Sequence, residues 1–416
     1  MYIIQRLPQL CKDFLRKIRH FFENDSYSVK YASRLIVAIA SLNGRVSLSK
    51  IAELFNGKRS RQAIQKFLSV SDVKLGDLLR QQALYLLKKL GWKPGEPLYY
   101  AIDDTQIQKF GKEMEGTSKI WLHAEKKYSM GHTIFLGSLV YRNVAIPYDL
   151  RIWVSSNECD KLNENGIVRP FVKLTELAAD SIRSIKLPGA TRVTVLCDRY
   201  YLCKPILDAI YSKDFDYVAA VKSNRRFSNG RKIYSVGSYS EQCLKSNGKR
   251  LSLGSGSTQY KVAERVGHIS KVGEVKVVFS RRQGDKRGLI LATNRKDLKA
   301  EEIIRIYRNR WTIEVLFKMA KQYLGMGDYQ FLKLRSVESY LRLVMNAHIY
   351  LTHLAIDEQV AQENSKNNSP NVLVGIGRLQ EILRYKLFID MVESWRKTVT
   401  KEQIVVMLQA LYSGRL

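Results

Sequence analysis

A change in the spacing of apolar residues near residue 97 constrains the fold more than any other feature. Before it, apolar residues recur with a helical period; after it come short apolar, β-branched or aromatic runs separated by turn residues. Strand-like runs and helices follow in the order strand, strand, strand, helix, strand, helix, strand, the runs being PLYYAIDD, TIFLGSLVY, AIPYDLRIWV, TRVTVLCD and FDYVAAV. This order predicts an α/β fold with a mixed sheet that carries helices on its faces.

The N-terminal region, residues 1–95, is predicted to be wholly helical. Within residues 47–69, serines that can cap two short helices stand on either side of an Asn-Gly turn, and the second helix offers Arg61 and Lys66 to a DNA groove. This pattern is compatible with a helix-turn-helix, and an ordinary helical hairpin explains it about equally well. The strongly positive net charge of the chain favours DNA as the partner of this region.

The segment 222–287 differs in composition, with 16 Lys or Arg residues against four acids. Its short alternating runs, rich in Gly, Ser and Asn, predict a basic antiparallel β insertion over residues 223–285. Arg225 and Arg226 are candidate contacts to a nucleic-acid backbone, and a merely solvated basic surface is the alternative. Residues 357–416 are predicted to form a polar linker and a helical C-terminal tail.

The net charge of +30 and the isoelectric point near 9.8 indicate a polyanionic partner. Nucleic acid is the first such partner and an anionic membrane the second, but the longest apolar run of the N-terminal region, Leu35 to Leu42, is too short to span a bilayer. No signal peptide is predicted. The five cysteines form no C-x-x-C pair, which favours reduced thiols in the cytosol and argues against structural zinc.

Acidic residues end two of the predicted strands: Asp103 and Asp104 the first, Asp198 the fourth. Carboxylates at the ends of sheet strands often form sites, although for a single Asp a turn cap is the more common role. Together with Glu314 on the helix that follows the last strand, they make a set of three converging acids. Oxygen ligands without His or Cys suit Mg²⁺ or Mn²⁺, which in a pair promote in-line attack on a phosphodiester.

The stretch Tyr307 to Gln322 contains no Pro or Gly and is predicted to be one continuous helix. At about 100° per residue, Tyr307, Arg310, Glu314 and Lys321 fall on one narrow polar stripe beside an apolar face. A solvated face with an Arg310–Glu314 ion pair one turn apart is the plainer interpretation.

The spacing of those four residues resembles the YREK signature of the IS-four group of insertion-sequence transposases, which belong to the DDE superfamily and have a ribonuclease H-like core. AIDDT and LCDRYY are similar to the strands that carry the first and second Asp of that family, and GHTIFLGSLVY to the strand after the first. The resemblance covers residues 97 to 325. It implies a ribonuclease H-like core in 96–222 and 286–356, interrupted by the β insertion.

The resemblance also implies that Asp198, Glu314 and one of Asp103 or Asp104 bind two catalytic Mg²⁺ or Mn²⁺ ions. Asp104 is preferred, because the family's acid directly precedes Thr, here Thr105.

By the same resemblance, Tyr307, Arg310 and Lys321 contact phosphates of the DNA end, and Trp311 packs or stacks beside them. Some relatives support a flipped base with a Trp in the insertion. This insertion has none, and Tyr234, Tyr239 and Tyr260 are the candidate substitutes.

The implied function is cut-and-paste transposition: metal-dependent cleavage at transposon ends, followed by strand transfer into target DNA. The expected partners are double-stranded DNA, as ends and as target, and a second copy of the chain in a homodimer, with no membrane. The expected location is the prokaryotic cytoplasm, on the nucleoid. A non-catalytic DNA-binding regulator and a metal-dependent nuclease without strand transfer are the alternatives.

Overall fold

A computed structural model of the chain describes residues 27–55, 60–71, 74–111, 113–122, 125–189, 191–230, 232–252, 259–286, 288–363 and 375–395. The first half of the described chain contains, in order, α1 (Tyr27–Ser41), α2 (Leu48–Leu54), α3 (Arg61–Val70), α4 (Leu75–Lys89), β1 (Leu98–Gln108), β2 (Ser118–Leu122), β3 (Lys127–Tyr141), β4 (Val144–Trp153), α5 (Ser156–Glu164), α6 (Leu174–Arg183), β5 (Val193–Cys197), α7 (Lys204–Ser212) and β6 (Asp216–Ala220). The second half contains β7 (Arg226–Ser228), β8 (Ile233–Ser235), α8 (Val236–Asn247), β9 (Lys249–Ser252), β10 (Gln259–Ile269), β11 (Gly273–Arg282), β12 (Leu289–Thr293), α9 (Ala300–Arg308), α10 (Trp311–Tyr323), α11 (Leu334–Glu363) and α12 (Ile376–Trp395).

One mixed sheet runs through the described chain. Its strand order is β2, β3, β1, β5, β6, β12, β11, β10, β7, β8, and β4 and β9 pair with β3 and β10. The pairs β1 with β5 and β5 with β6 are parallel, and the other pairs are antiparallel. The predicted mixed α/β fold is thereby confirmed, and it is compatible with a ribonuclease H-like core.

The centre of the sheet is apolar and fully buried. Tyr100 on β1 has no exposed surface, and its hydroxyl lies 2.7 Å from Ser181 Oγ of α6. Gly137 of β3 makes room for the Tyr100 ring, because a Cβ at this position would lie 1.8 Å from Tyr100 Oη. Strand β1, which carries the candidate acids, is therefore fixed by close packing from its neighbours.

The helices α2 and α3 begin as the sequence predicts. The Ser47 hydroxyl accepts a hydrogen bond from the Lys50 amide, and the Ser60 hydroxyl accepts one from the Ala63 amide, so both serines are N-caps. Arg61 and Lys66 are exposed on α3, whereas Ile64 and Leu68 of the same helix are buried. The Asn-Gly turn between the helices lies outside the described residues.

The N-terminal helices are joined to the rest of the chain by buried polar contacts. Gln82 Nε2 of α4 donates to Asn346 Oδ1 of α11 at 2.7 Å. Arg80 of α4 pairs with the buried Asp149 of β4 at 3.0 Å. These contacts offset part of the free-energy cost of burying the two side chains, although Gln82 Oε1 and Arg80 Nε are buried without a hydrogen-bond partner among the described residues.

The basic segment after β6 contains strands, as predicted, but also a helix. The run KIYSVGSYS was expected to be a strand, and only Ile233–Ser235 is extended. Ser235 accepts a hydrogen bond from the Ser238 amide and so starts α8. Through β12, the strands of this segment continue the same sheet as the core.

The first helix after the three leading strands also needs correction. The sequence predicts it over Val168–Ile185, and in the structure it begins only at Leu174. The short helix α5 and the edge strand β2 were not predicted, since neither segment has a clear apolar period.

The helix α12 contacts the C-terminal ends of two earlier helices, α1 and α10. Gln380 Nε2 donates to the carbonyl oxygens of Leu42, just after α1, and Tyr323, the last residue of α10, each at 3.0 Å. The N-terminal 26 residues, most of the predicted linker and the last predicted helix lie outside the described residues.

We expect Gly137→Ala to lower the free energy of unfolding by about 1–3 kcal/mol, because the added methyl group forces Tyr100 out of its packed position. Urea denaturation of both proteins measures the change. Gly111→Ala is the matched control, as a Cβ there meets nothing within 4 Å. Equal stability of the two variants would contradict the packing described for β1.

Candidate active site

The two adjacent acids of β1 lie on opposite faces of the sheet. Asp103 pairs with Leu136 and Asp104 with Phe135 in an unbroken antiparallel register, and successive side chains of a strand alternate between faces. Asp103 faces α10. Asp104 faces the other way and accepts a hydrogen bond from the Tyr201 hydroxyl at 2.6 Å.

Asp198 lies beside these acids because β1 and β5 are parallel. Ala101 pairs with Leu196, and Asp198 follows Cys197 at the end of β5. One carboxylate oxygen of Asp198 accepts hydrogen bonds from the backbone amides of Tyr200 and Tyr201, at 2.7 and 3.3 Å. Tyr201 therefore holds Asp198 through its amide and Asp104 through its hydroxyl. Sequence reasoning missed Tyr201, since no spacing rule identifies such a link.

The prediction of one continuous helix from Tyr307 to Gln322 is wrong. Helix α9 ends at Arg308 and α10 begins at Trp311, with two turn residues between them. The Asn309 side chain donates to the carbonyl oxygens of Arg305 and Ile306. The backbone amides of Asn309 and Arg310 donate three residues back, to Ile306 and Tyr307, instead of four residues back as in an α-helix. The break places Arg310 at the start of α10.

Arg310 connects the two elements that carry the candidate acids. Its guanidinium donates to Asp103 Oδ2 at 3.0 Å and forms an ion pair with Glu314 on α10. Only 15% of the Arg310 side chain is exposed. The predicted Arg310–Glu314 pair is present, and Asp103 is the additional partner. The Tyr307 ring centroid lies 5.7 Å from the guanidinium carbon.

Lys321 lies farther along α10 and also contacts β1. Its ammonium donates to Thr105 Oγ1 at 2.6 Å and to the Gln106 carbonyl oxygen at 3.1 Å. Trp311 is 63% exposed at the start of the helix. A cleft of about 600 Å³ between the strand and the helix is lined by Asp103, Asp104, Thr105, Glu314, Phe317, Lys318, Lys321 and Gln322.

The charges of the site are strongly coupled. Burial raises the pKa of Asp103 to about 7; Arg310 opposes this rise, whereas the charges of Asp104 and Asp198 add to it. Burial also raises the pKa of Asp104, which the Tyr201 hydrogen bond opposes. Although burial acts against its charge, Tyr307, Asp103 and Glu314 raise the pKa of the Arg310 guanidinium. The site thus concentrates negative charge that one arginine partly offsets.

The donor chemistry fits a hard divalent cation. Asp198 and Glu314 each have one carboxylate oxygen that makes no hydrogen bond within the described residues, and Arg310 provides positive charge between Glu314 and Asp103. In the described ranges no three His, Cys, Asp or Glu side chains are close enough together to hold a metal ion.

The other candidate residues lie away from this cleft. Arg225 donates to the carbonyl oxygens of Leu202 and Ser270. It therefore connects the loop that follows β5 to the basic segment. Arg226 is exposed on β7, and Arg61 and Lys66 are exposed on α3. These four basic residues are not among those that line the cleft.

Tyr239 was one of three candidate substitutes for a base-supporting Trp. It is 7% exposed and stacks between Phe227 and Tyr234, with ring centroids 5.0 and 4.7 Å apart. A base cannot reach either face of this ring, so Tyr239 does not fill that role.

Two family models match the chain. The model of the DDE superfamily endonuclease matches residues 22–241, more than half of the chain, and that of the transposase DDE domain matches residues 172–351. The first range contains Asp103, Asp104 and Asp198; the second contains Asp198 and Glu314. No match was found among curated proteins.

None of the helices in the described ranges is both long and apolar enough to cross a membrane.

We expect Asp103 to make the stability of the metal-free protein fall as pH rises. Its folded pKa of about 7 exceeds the ordinary value of 3.8, so between these values the folded chain keeps a proton that the unfolded chain releases. The free energy of unfolding of the wild type, relative to Asp103→Asn, should therefore be lower at about pH 8 than at about pH 5.

Urea denaturation in the presence of a chelator measures this difference. Asp208→Asn is the control, because Asp208 is exposed and forms a surface ion pair with Lys204. A difference between wild type and Asp103→Asn that does not change with pH would contradict the expectation.

Proposed function

The chain belongs to the DDE superfamily endonucleases, enzymes that act on DNA, and from this we propose that it is a cut-and-paste transposase of the IS-four type. It hydrolyses phosphodiesters at the ends of a mobile element and then joins the freed 3′-hydroxyls to target DNA. The observation that carries the proposal is the contact of α10 with β1. It brings Glu314 and Asp103, which are far apart in sequence, to one cleft beside Asp198.

We assign the role of first metal ligand to Asp103. The sequence motif alone favours Asp104. Support comes from their contacts: both acids line the cleft, but Asp103 pairs with Arg310 beside Glu314, whereas Asp104 accepts a hydrogen bond from Tyr201. Asp103, Asp198 and Glu314 would then hold the two Mg²⁺ or Mn²⁺ ions. Such ions activate the attacking oxygen and neutralise charge on the leaving oxygen.

Arg310 has two partners in turn under this proposal. Without metal it offsets the repulsion between Asp103 and Glu314. When the acids hold cations instead, the guanidinium is free to bind a phosphate of the element's end, for which its planar donors are well suited. Lys321 and Tyr307, on the same side, would bind neighbouring phosphates, and the exposed Trp311 would contact the DNA next to them.

The remaining parts of the proposal concern DNA binding and assembly. The helices with Arg61 and Lys66 recognise the element's ends, and Arg226 with its basic neighbours binds the DNA backbone. Arg225 instead supports this surface through its carbonyl contacts. Since two ends must be cut and joined together, the active form is a homodimer on DNA. For a prokaryotic element, such an enzyme works on the nucleoid.

We expect Glu314→Gln to abolish Mg²⁺-dependent cleavage and joining while leaving DNA affinity nearly unchanged, because it removes a metal ligand without removing a phosphate contact. The loss should exceed the roughly 100-fold cost of removing a group that only supports a metal ligand. The assay uses a supercoiled plasmid that carries the gene with its flanking genomic DNA, and gels separate nicked, linear and joined products.

Glu301→Gln is the matched control, since Glu301 pairs with Arg305 on the exposed side of α9. Undiminished cleavage by Glu314→Gln would contradict the assignment of Glu314 as a metal ligand. Cleavage by the wild type without joined products would favour the nuclease alternative, and binding without cleavage would favour the regulator.

A second pair of variants tests which acid of β1 binds metal. Asp103→Asn should reduce cleavage as severely as Glu314→Gln, and Asp104→Asn should reduce it less, because it weakens only the hydrogen bond to Tyr201. The same plasmid assay, run over a range of Mg²⁺ concentrations, compares them. The reverse ranking would return the ligand role to Asp104.

A further inference from the structure

The edge hairpin formed by β2 and β3 presents an exposed aromatic patch, which we define as Lys119, Trp121, Tyr128 and Met130. Trp121 pairs with Tyr128 and Lys119 with Met130 across the two strands. The two rings meet edge to face at 4.8 Å, and the Lys119 ammonium lies 4.3 Å from the Tyr128 ring centroid. Tyr128 is 62% exposed and Met130 45%. Large apolar side chains gathered at a surface generally mark a binding site.

The aromatic patch lies on the same side of the sheet as Asp103. Tyr128 and Met130 each lie an even number of residues before Leu136 on β3, so their side chains are on the same side of the sheet as that of Leu136. Leu136 is the cross-strand partner of Asp103. Tyr128 precedes Leu136 by eight residues, which corresponds to roughly 26 Å along the strand at about 3.3 Å per residue. His132 and Ile134, which lie between them on this side, are fully buried, so a DNA strand that spans the two sites would pass over the covering segments and would exceed the roughly eight nucleotides that this distance equals at about 3.4 Å each.

We propose that the aromatic patch binds unpaired bases of a DNA strand that leads from the candidate active site. Aromatic rings stack on any base, and a nearby ammonium attracts the phosphates. The described part of the hairpin carries Lys119, Lys126 and Lys127 against one acid, Glu125, which pairs with Lys127. Lysines are depleted in protein interfaces, so this composition favours nucleic acid over a protein partner.

This inference rests on the proposed function for the origin of the unpaired strand, since cuts or joints at staggered positions of the two DNA strands leave unpaired bases. Binding to the patch itself requires no cleavage. A binding assay therefore tests the patch separately from the plasmid assay that tests the chemistry.

The experiment measures the fluorescence anisotropy of a labelled twenty-nucleotide thymidine strand titrated with the full-length chain at fixed salt. We expect Trp121→Ala combined with Tyr128→Ala to weaken binding about tenfold or more, the effect typical of losing base stacking. Affinity for a labelled duplex of equal length should change less than about twofold, because paired bases are not free to stack on the rings.

Matched variants isolate the rings from other effects. Tyr385→Ala removes a tyrosine that is also 62% exposed, on α12, and should not affect binding of the thymidine strand. Trp121→Phe combined with Tyr128→Phe keeps both rings and should retain most of the affinity. Tyr128→Ala alone removes a mostly exposed side chain, so its binding defect should appear without a change in thermal stability.

Unchanged affinity of the double alanine variant for the thymidine strand would overturn the proposal. Equal losses in that variant and in Tyr385→Ala would also overturn it, because the effect would not belong to this surface. If binding were unchanged and sedimentation showed that the double variant no longer forms a dimer, the patch would be a self-association surface instead. If the double alanine variant lost binding and the wild type could not cleave the plasmid, the binding role of the patch would be supported and only the proposed transposase activity would be rejected.

Discussion

The geometry of the candidate site depends on one buried guanidinium shared by two carboxylates. Arg310 joins Asp103 and Glu314, and Asp103 lies 207 positions earlier in the chain. Two acids facing one cleft repel each other, and the arginine between them makes their close approach tolerable without a metal. Removing a partner from such a buried pair leaves an uncompensated charge, which is far more costly than losing a surface ion pair. The positions of α10 and β1 are therefore coupled through this contact.

The sheet determines which other groups can join that contact. Because β1 and β5 run parallel, their carboxyl ends meet at the same edge, and Asp198 arrives beside the β1 acids. Tyr201 then fixes the loop after β5 with its amide and its hydroxyl. The acids are thus held by two different kinds of restraint: the backbone of adjacent strands for Asp103 and Asp198, and a side-chain ion pair for Glu314.

Much of the fold, and the proximity of the candidate acids of β1 to Asp198 and Glu314, could be predicted from the sequence. Apolar runs ending in Asp gave the strands, and helical spacing placed Glu314 and Lys321 on one side of a helix, because these depend on local periodicity. Asn309 ended the helix early through side-chain hydrogen bonds that periodicity does not register. The difference between Asp103 and Asp104 depends on which face α10 covers, and the role of Tyr201 depends on a neighbouring strand. Such tertiary relations are not encoded in the spacing of residues along one segment.

The double hydrogen bond of Gln380 has a consequence for how copies of such a gene lose function. A reading frame interrupted before Ile376 would still encode every acid of the cleft. Its product would lack the amide that satisfies the carbonyl oxygens of Leu42 and Tyr323, and with it the helix that links α1 to the end of α10. Shortened copies would therefore lose a contact that supports the helix carrying Glu314, while the candidate acids themselves remained in the sequence.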